Sequence, residues 1–246
     1  SETGAHEEDL SKVAASAGLT NAKVRSYGDQ AKNMYQISLK KTDDATVKDR
    51  LQKALDDAGQ KAQIIASDEV GPTIGKELRF NAILSIILSW IAICLYIWFR
   101  FGKLGLGFGV GALVGLVHDT IISIGFISLM GLSVDGALIA SVLTLIGYTI
   151  NDKIVVFDRI RENSQIYGRS NFPKLVNSSI NQCFSRTIIT SLTTLFVCLI
   201  LAVMGGSSIR DFGLVMVFGI IIGTYSSITI SSPFVVWWSK RFRSGV

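Results

Sequence analysis

The stretch GYTINDKIVVFDRIREN, residues 147–163, decides how the rest of the chain is interpreted. An apolar run that begins at Leu138 leads into it, Asp152 and Lys153 interrupt the run, and continuous charge starts only at Asp158. If this is one helix across a bilayer, Asp152 lies six residues before the polar edge, about 9 Å at 1.5 Å per residue. A carboxylate in a membrane helix costs about 2.5–3.5 kcal/mol to insert, so it is usually kept for a function. The alternative is an Asp that reaches the interface or pairs only for structural reasons.

The composition of the whole chain indicates a membrane protein. Of its 246 residues 49% are hydrophobic, and the mean hydropathy is +0.43. Residues 1–76 contain 11 Lys and Arg against 12 Asp and Glu, whereas residues 77–246 contain 13 against 7. The positive charge therefore belongs to the membrane part and relates to topology. Since residues 1–76 contain no basic cluster interleaved with aromatic residues, nucleic-acid binding is not expected.

Five apolar runs are long enough to span a bilayer. The predicted membrane helices cover residues 80–99, 104–130, 137–157, 183–204 and 212–238, and residues 71–79 are interpreted as a linker. Small residues at helix-packing spacings in the second and fifth runs predict close helix contacts; they are Gly105, Gly107, Gly109, Gly111, Gly115, Gly213, Gly219 and Gly223. The cysteines in or beside these runs are interpreted as small buried hydrophobic residues; they are Cys94, Cys183 and Cys198.

The loops between these runs carry an uneven distribution of positive charge. The first loop, the third loop and the C-terminal tail together contain nine Lys and Arg, whereas the second and fourth loops contain only Arg210. The positive-inside rule places the nine in the cytoplasm, so residues 1–76 are predicted outside and the C-terminus inside. Trp237 and Trp238, at the end of the last run, are typical of an interfacial aromatic pair.

Residues 1–70 predict an extracytoplasmic α+β domain. The pattern gives a helix over 7–17, strands over 22–27 and 33–39, a helix over 42–57 and a strand over 63–66. The helices have apolar faces formed by Leu10, Val13, Ala14 and by Val47, Leu51, Leu55. This order is one strand short of the βαββαβ ferredoxin-like pattern. Because the sequence starts at Ser1 without Met or a signal peptide, we expect a fragment whose first strand and first membrane span lie upstream.

Three ionisable residues in the apolar runs are candidate functional residues. Asp119, with His118 beside it, lies near the middle of the second run, and Arg186 begins the fourth. Asp152 and Arg186 are expected at similar depth, where a guanidinium favours the charged carboxylate; a pair that forms and separates would release and bind a proton. The alternative is a static salt bridge between helices. No nucleophile–base set, metal-ligand spacing or phosphate loop occurs in the sequence, so we expect no enzyme, metal centre or cofactor.

Four motifs of this sequence resemble the SecF family of protein-export membrane proteins. They are VGPTIGKEL (70–78), VHD (117–119), GYTINDKIVVFDRIREN (147–163) and SRTIITSLTTL (185–195), and the resemblance extends from about Val70 to the end. It implies an accessory subunit of the Sec translocon, related to proton-driven RND transporters. It also implies six spans per subunit, with a ferredoxin-like extracytoplasmic domain between the first and second.

The resemblance further implies site residues and partners. Asp152 and Arg186 match the family's proton-pathway residues, and Asp119 is included with them as a looser match. Lys153 departs from the family pattern, because relatives often carry a small polar residue there, and a cation at this position could itself pair with Asp152. The implied partners are SecD (separate or fused), the Sec channel, the exported polypeptide and protons, in the lipid of the cell inner membrane.

The expected function is therefore proton-motive-force-driven assistance of polypeptide export. One alternative is a structural subunit that stabilises the translocon without proton coupling, its charges serving only to hold helices together. Another is a stand-alone proton-coupled exporter of small molecules, which would need two large periplasmic loops and many more spans than this sequence contains.

Overall fold

The computed structural model describes residues 7–19, 22–26, 35–38, 47–58, 64, 72–132, 134–168 and 170–242. Its elements are α1 (Glu7–Ser16), β1 (Lys23–Ser26), β2 (Tyr35–Ser38), α2 (Val47–Asp57), α3 (Pro72–Phe101), α4 (Gly105–Leu129), α5 (Gly136–Tyr167), α6 (Phe172–Met204), α7 (Ser207–Ser226) and α8 (Ser232–Phe242). A 3₁₀-helix, Gly102–Leu104, precedes α4, and a π-helix, Ser227–Ser231, joins α7 to α8. The chain divides into two compact units, Ser1–Arg79 and Phe80–Val246.

The first unit is built from α1, β1, β2 and α2, in the order that the sequence predicts. β1 and β2 pair antiparallel with Val24 opposite Ile37, and both side chains pack against the helices. The predicted apolar faces of the two helices supply most of its buried core, which consists of Leu10, Val13, Ala14, Leu19, Leu51 and Leu55. Of the strand predicted over 63–66, only Ile64 is described, so that prediction lies outside the described residues.

The second unit confirms the prediction of five membrane-spanning helices. Five helices are long and apolar enough to cross a bilayer: Lys76–Phe101, Gly105–Leu129, Gly136–Tyr167, Phe172–Met204 and Ser208–Phe242. The last of them consists of α7, the π-helix and α8 without a break. Within the predicted linker over 71–79, α3 begins at Pro72. Proline suits the first turn of a helix, where its missing N–H has no intrahelical partner.

Two predicted span limits also need correction, since α5 and α6 extend well beyond their apolar runs. The third span was expected to end at 157 and the fourth to begin at 183, whereas α5 continues to Tyr167 and α6 begins at Phe172. The apolar run ends at the first charged residue, but side-chain hydrogen bonds join α5 and α6 beyond that point. Asn163 Nδ2 of α5 donates to Ser179 Oγ at 2.8 Å and to Gln182 Oε1 at 2.9 Å on α6.

Helices α4, α5 and α6 all pack against α7. Helix α7 approaches α6 closely at Gly213, where an added Cβ would lie 2.6 Å from the backbone nitrogen of Ala202. On the other side of the unit, the ring of Phe108 stacks on Phe157 with centroids 4.8 Å apart. Glycine in the second and fifth runs thus permits close approach, as predicted.

Candidate functional site

The most deeply buried charges of the second unit form an ion pair between α4 and α5. Lys153 Nζ donates to Asp119 Oδ2 at 2.8 Å, and the two side chains are 0% and 1% exposed. The ammonium also donates to Ser226 Oγ at 3.2 Å and to the Thr149 carbonyl at 3.4 Å. The other Asp119 oxygen, Oδ1, lies 3.1 Å from His118 Nδ1. All three ammonium hydrogens and both carboxylate oxygens therefore have partners.

Glycine on α4 makes room for this ion pair. Gly115 lies four residues before Asp119 and so on the same helix face. A Cβ added to Gly115 would lie 2.5 Å from Lys153 Cε and 2.1 Å from Ser231 Oγ. The lysine stem and the π-helix serine thus fill the space that a larger residue would occupy.

Asp152 faces a different helix from its neighbour Lys153. Successive residues of an α-helix point about 100° apart, so Lys153 can reach α4 and α7 while Asp152 reaches α6. Asp152 is 4% exposed, and Ser191 Oγ donates to its Oδ2 at 3.4 Å. The Ser191 hydroxyl also lies 2.7 Å from Thr224 Oγ1 of α7. In the described part of the chain, no Lys, Arg or His nitrogen comes within 4.0 Å of the Asp152 carboxylate.

The structure keeps Arg186 apart from Asp152. Arg186 is exposed on α6, and the two side chains form no ion pair within the described ranges. The static Asp152–Arg186 salt bridge considered above is therefore absent from this arrangement. Lys153 does not pair with Asp152 either, because its ammonium is committed to Asp119.

Sequence reasoning missed the Asp119–Lys153 pair and the hydroxyl groups around it. A signal was present in the fifth apolar run, where Ser226, Ser227, Ser231 and Ser232 occur together, and all four are 0% exposed. Within the described part of this unit, the buried hydroxyls of Ser123, Thr149 and Ser231 have no hydrogen-bond partner. Among the residues that the structure describes, no group of three His, Cys, Asp or Glu side chains is arranged to hold a metal ion.

Ionisable side chains buried between long apolar helices define the class of this chain as a polytopic helical membrane protein with charged groups inside its bundle. The family described as "Protein export membrane protein SecD/SecF, C-terminal" matches residues 50–241. The chain belongs to this SecD/SecF family.

Curated relatives share nearly half of their aligned residues with this chain. It is 48% identical over 181 residues to the protein translocase subunit SecDF of Thermus thermophilus, an alignment that covers 74% of this chain and 24% of that protein. It is 45% identical over 174 residues to the protein translocase subunit SecF of Rickettsia rickettsii, with 71% and 56% covered. The chain thus spans about a quarter of the first relative and little more than half of the second.

Solved structures show the same architecture. The crystal structure of SecDF, a translocon-associated membrane protein from Thermus thermophilus, matches with a TM-score of 0.81 at 39% identity. That match covers 98% of this chain and 32% of the SecDF chain. A second SecDF structure, in a form called super-membrane-facing, matches with a TM-score of 0.69 at 36% identity and covers 96% and 32%.

Proposed function

We propose that this chain acts as a SecF-like subunit of the Sec protein-translocation machinery and uses the proton motive force to assist polypeptide export. The observation that carries the proposal is Asp152, a buried carboxylate without a cation within 4.0 Å in the described part of the bundle. Ionisable groups inside membrane helices typically mark ion or proton pathways. A carboxylate that no ion pair fixes can change its protonation when its surroundings change.

Arg186 supplies the proposed change in surroundings. It lies on α6, the helix that also carries Ser191, the hydrogen-bond donor to Asp152. When α6 brings the guanidinium close, the carboxylate loses its proton, and when the guanidinium withdraws, the same oxygen takes up a proton from the other side. The separated arrangement described above corresponds to the withdrawn state of this cycle.

The topology and partners belong to the same proposal. The first unit lies outside the cytoplasm as a ferredoxin-like domain, and the C-terminus lies inside, in the cell inner membrane. Two observations support this assignment: the α1-β1-β2-α2 order, and a SecDF match that includes 98% of this chain. The partners are SecD, the Sec channel, the exported polypeptide and protons.

One observation favours a second candidate, a structural subunit without proton coupling. The Asp119–Lys153 pair has a partner for every charged atom and joins α4 to α5, which is what a fixed connection between helices requires. A protein whose buried charges all served this purpose would stabilise the translocon without carrying protons.

Translocation in inverted membrane vesicles separates the two candidates. Vesicles are prepared with and without this chain in its complete complex, and export of a preprotein is measured with and without an imposed proton gradient. We expect the gradient to accelerate late translocation only where the chain is present, and a protonophore to remove that acceleration. Equal acceleration in vesicles that lack the chain would assign it to the structural candidate.

A further inference from the structure

We propose that Lys153 is a positioning residue that fixes Asp119 as a permanent charged connection between α4 and α5, so that Asp152 alone exchanges protons. The proposal rests on the proton coupling proposed above and divides the work between the two buried carboxylates. A proton binds to and leaves a carboxylate oxygen of Asp152, while Asp119 stays paired with Lys153.

The hydrogen bonds of the ion pair leave neither charge free to exchange partners. Lys153 Nζ donates to Asp119 Oδ2, Ser226 Oγ and the Thr149 carbonyl at 2.8, 3.2 and 3.4 Å. An ammonium has three donors, and these three acceptors use all of them. The side chains are 0% and 1% exposed, so water does not compete for the pair.

The lysine side chain occupies space that a glycine on α4 leaves open. Ser231 Oγ and Lys153 Cε both lie within 2.5 Å of the position that a Gly115 Cβ would take. On the other side, a Cβ on Gly223 would meet Thr149 Cγ2 at 2.0 Å and Asp119 Oδ2 at 3.8 Å. The pair is therefore enclosed by α4, α5, α7 and the π-helix, whose buried residues are the uncharged Ser227 and Ser231.

Asp152 has the opposite environment. Its one hydrogen bond within the described ranges is the 3.4 Å contact from Ser191 Oγ. Charged groups act on it from two elements, Lys153 on its own helix and Arg186 on α6, and neither forms an ion pair with it. The charged neighbours of Lys153 are Asp119 on α4 and Asp152 on its own helix. One carboxylate is thus held by a cation and the other is not.

A double-mutant cycle on the purified complex tests the fixed pair. The variants are Lys153→Met, Asp119→Asn and the two combined, and the readout is the thermal unfolding temperature. Each single substitution leaves a buried charge without its partner and should lower Tm, whereas the double variant removes both charges and should recover most of the loss. Glu162→Gln is the matched control, because it breaks the exposed 2.6 Å pair with Arg159 and should leave Tm nearly unchanged. Single variants that unfold at the wild-type temperature would overturn the proposal.

Infrared difference spectra between low and high pH test the proton assignment without relying on export or on the double variant. We expect one protonated-carboxyl band from the membrane part that disappears in Asp152→Asn and persists in Asp119→Asn. A band that persists in Asp152→Asn and disappears in Asp119→Asn would overturn the division of work. The spectra do not depend on gradient-driven translocation. A negative vesicle assay would therefore reject the proposed function, whereas the spectra alone decide which carboxylate binds the proton.

Discussion

Asp152 and Lys153 are neighbours in the chain, yet they contact different helices, and this difference sets their chemistry. Lys153 pairs with Asp119 of α4 and uses all three of its donors, while the one hydrogen bond of Asp152 to a described residue comes from Ser191 on α6. Removing one partner of a buried ion pair strongly destabilises a protein, so the Asp119–Lys153 pair is suited to holding helices together. In the proposed mechanism, Asp152 responds to the position of the Arg186 guanidinium.

Arg186 is the residue whose substitution separates a switch from a structural contact. We expect Arg186→Lys and Arg186→Met to insert normally and to lose gradient-stimulated export. The Lys variant keeps the charge but lacks the planar guanidinium fork, and the Met variant lacks the charge. The measurement is translocation in inverted vesicles with and without an imposed proton gradient. If the Lys variant kept its gradient stimulation, Arg186 would be assigned to structure.

At the scale of the helices, the contact of α7 with α6 depends on a residue without a side chain. A Cβ at Gly213 would lie 2.6 Å from Ala202 N and 3.0 Å from Cys198 O, and backbone atoms cannot move aside as a flexible side chain would. We expect Gly213→Ala to separate the helices and to reduce stability by about 1–3 kcal/mol, the usual cost of overpacking. Thermal unfolding of the purified complex measures this loss.

Gly125→Ala on α4 is the control for that substitution. It also adds one methyl group to a glycine in a membrane helix, but nothing lies within 4 Å of the position that its Cβ would take. This variant should unfold at the wild-type temperature. If both variants had the same Tm as the wild type, the close α6–α7 contact would contribute nothing to stability.

Hydropathy predicts the elements of this fold better than it predicts their contacts. The five spans and the apolar faces of α1 and α2 follow from local patterns such as Leu10 with Val13 and Leu51 with Leu55. The Asp119–Lys153 pair could not be predicted this way, because its members are 34 residues apart and the rotation of each helix decides where a charge points. The helical ends of α5 and α6 were also missed, since polar interhelical bonds extend them beyond the apolar run.

At the scale of the whole molecule, the distribution of positive charge predicts how the chain lies in the membrane. The predicted topology places nine Lys and Arg of the loops and tail on one side of the membrane and one on the other. We expect a reporter fused after Val246 to be active in the cytoplasm and a reporter inserted at Gly59 to be active outside it. Two reporters on the same side would contradict an odd number of spans between these positions.

The most direct test of the central claim is the proton dependence of export in Asp152→Asn. The amide keeps the shape of the side chain and removes the group that binds the proton. The variant should insert normally and assemble with its partners. Inverted vesicles that carry it should translocate a preprotein at the basal rate, with no acceleration when a proton gradient is imposed. Glu162→Gln, at an exposed carboxylate on the same helix, is the control and should retain the acceleration. Wild-type acceleration in Asp152→Asn vesicles would contradict the account.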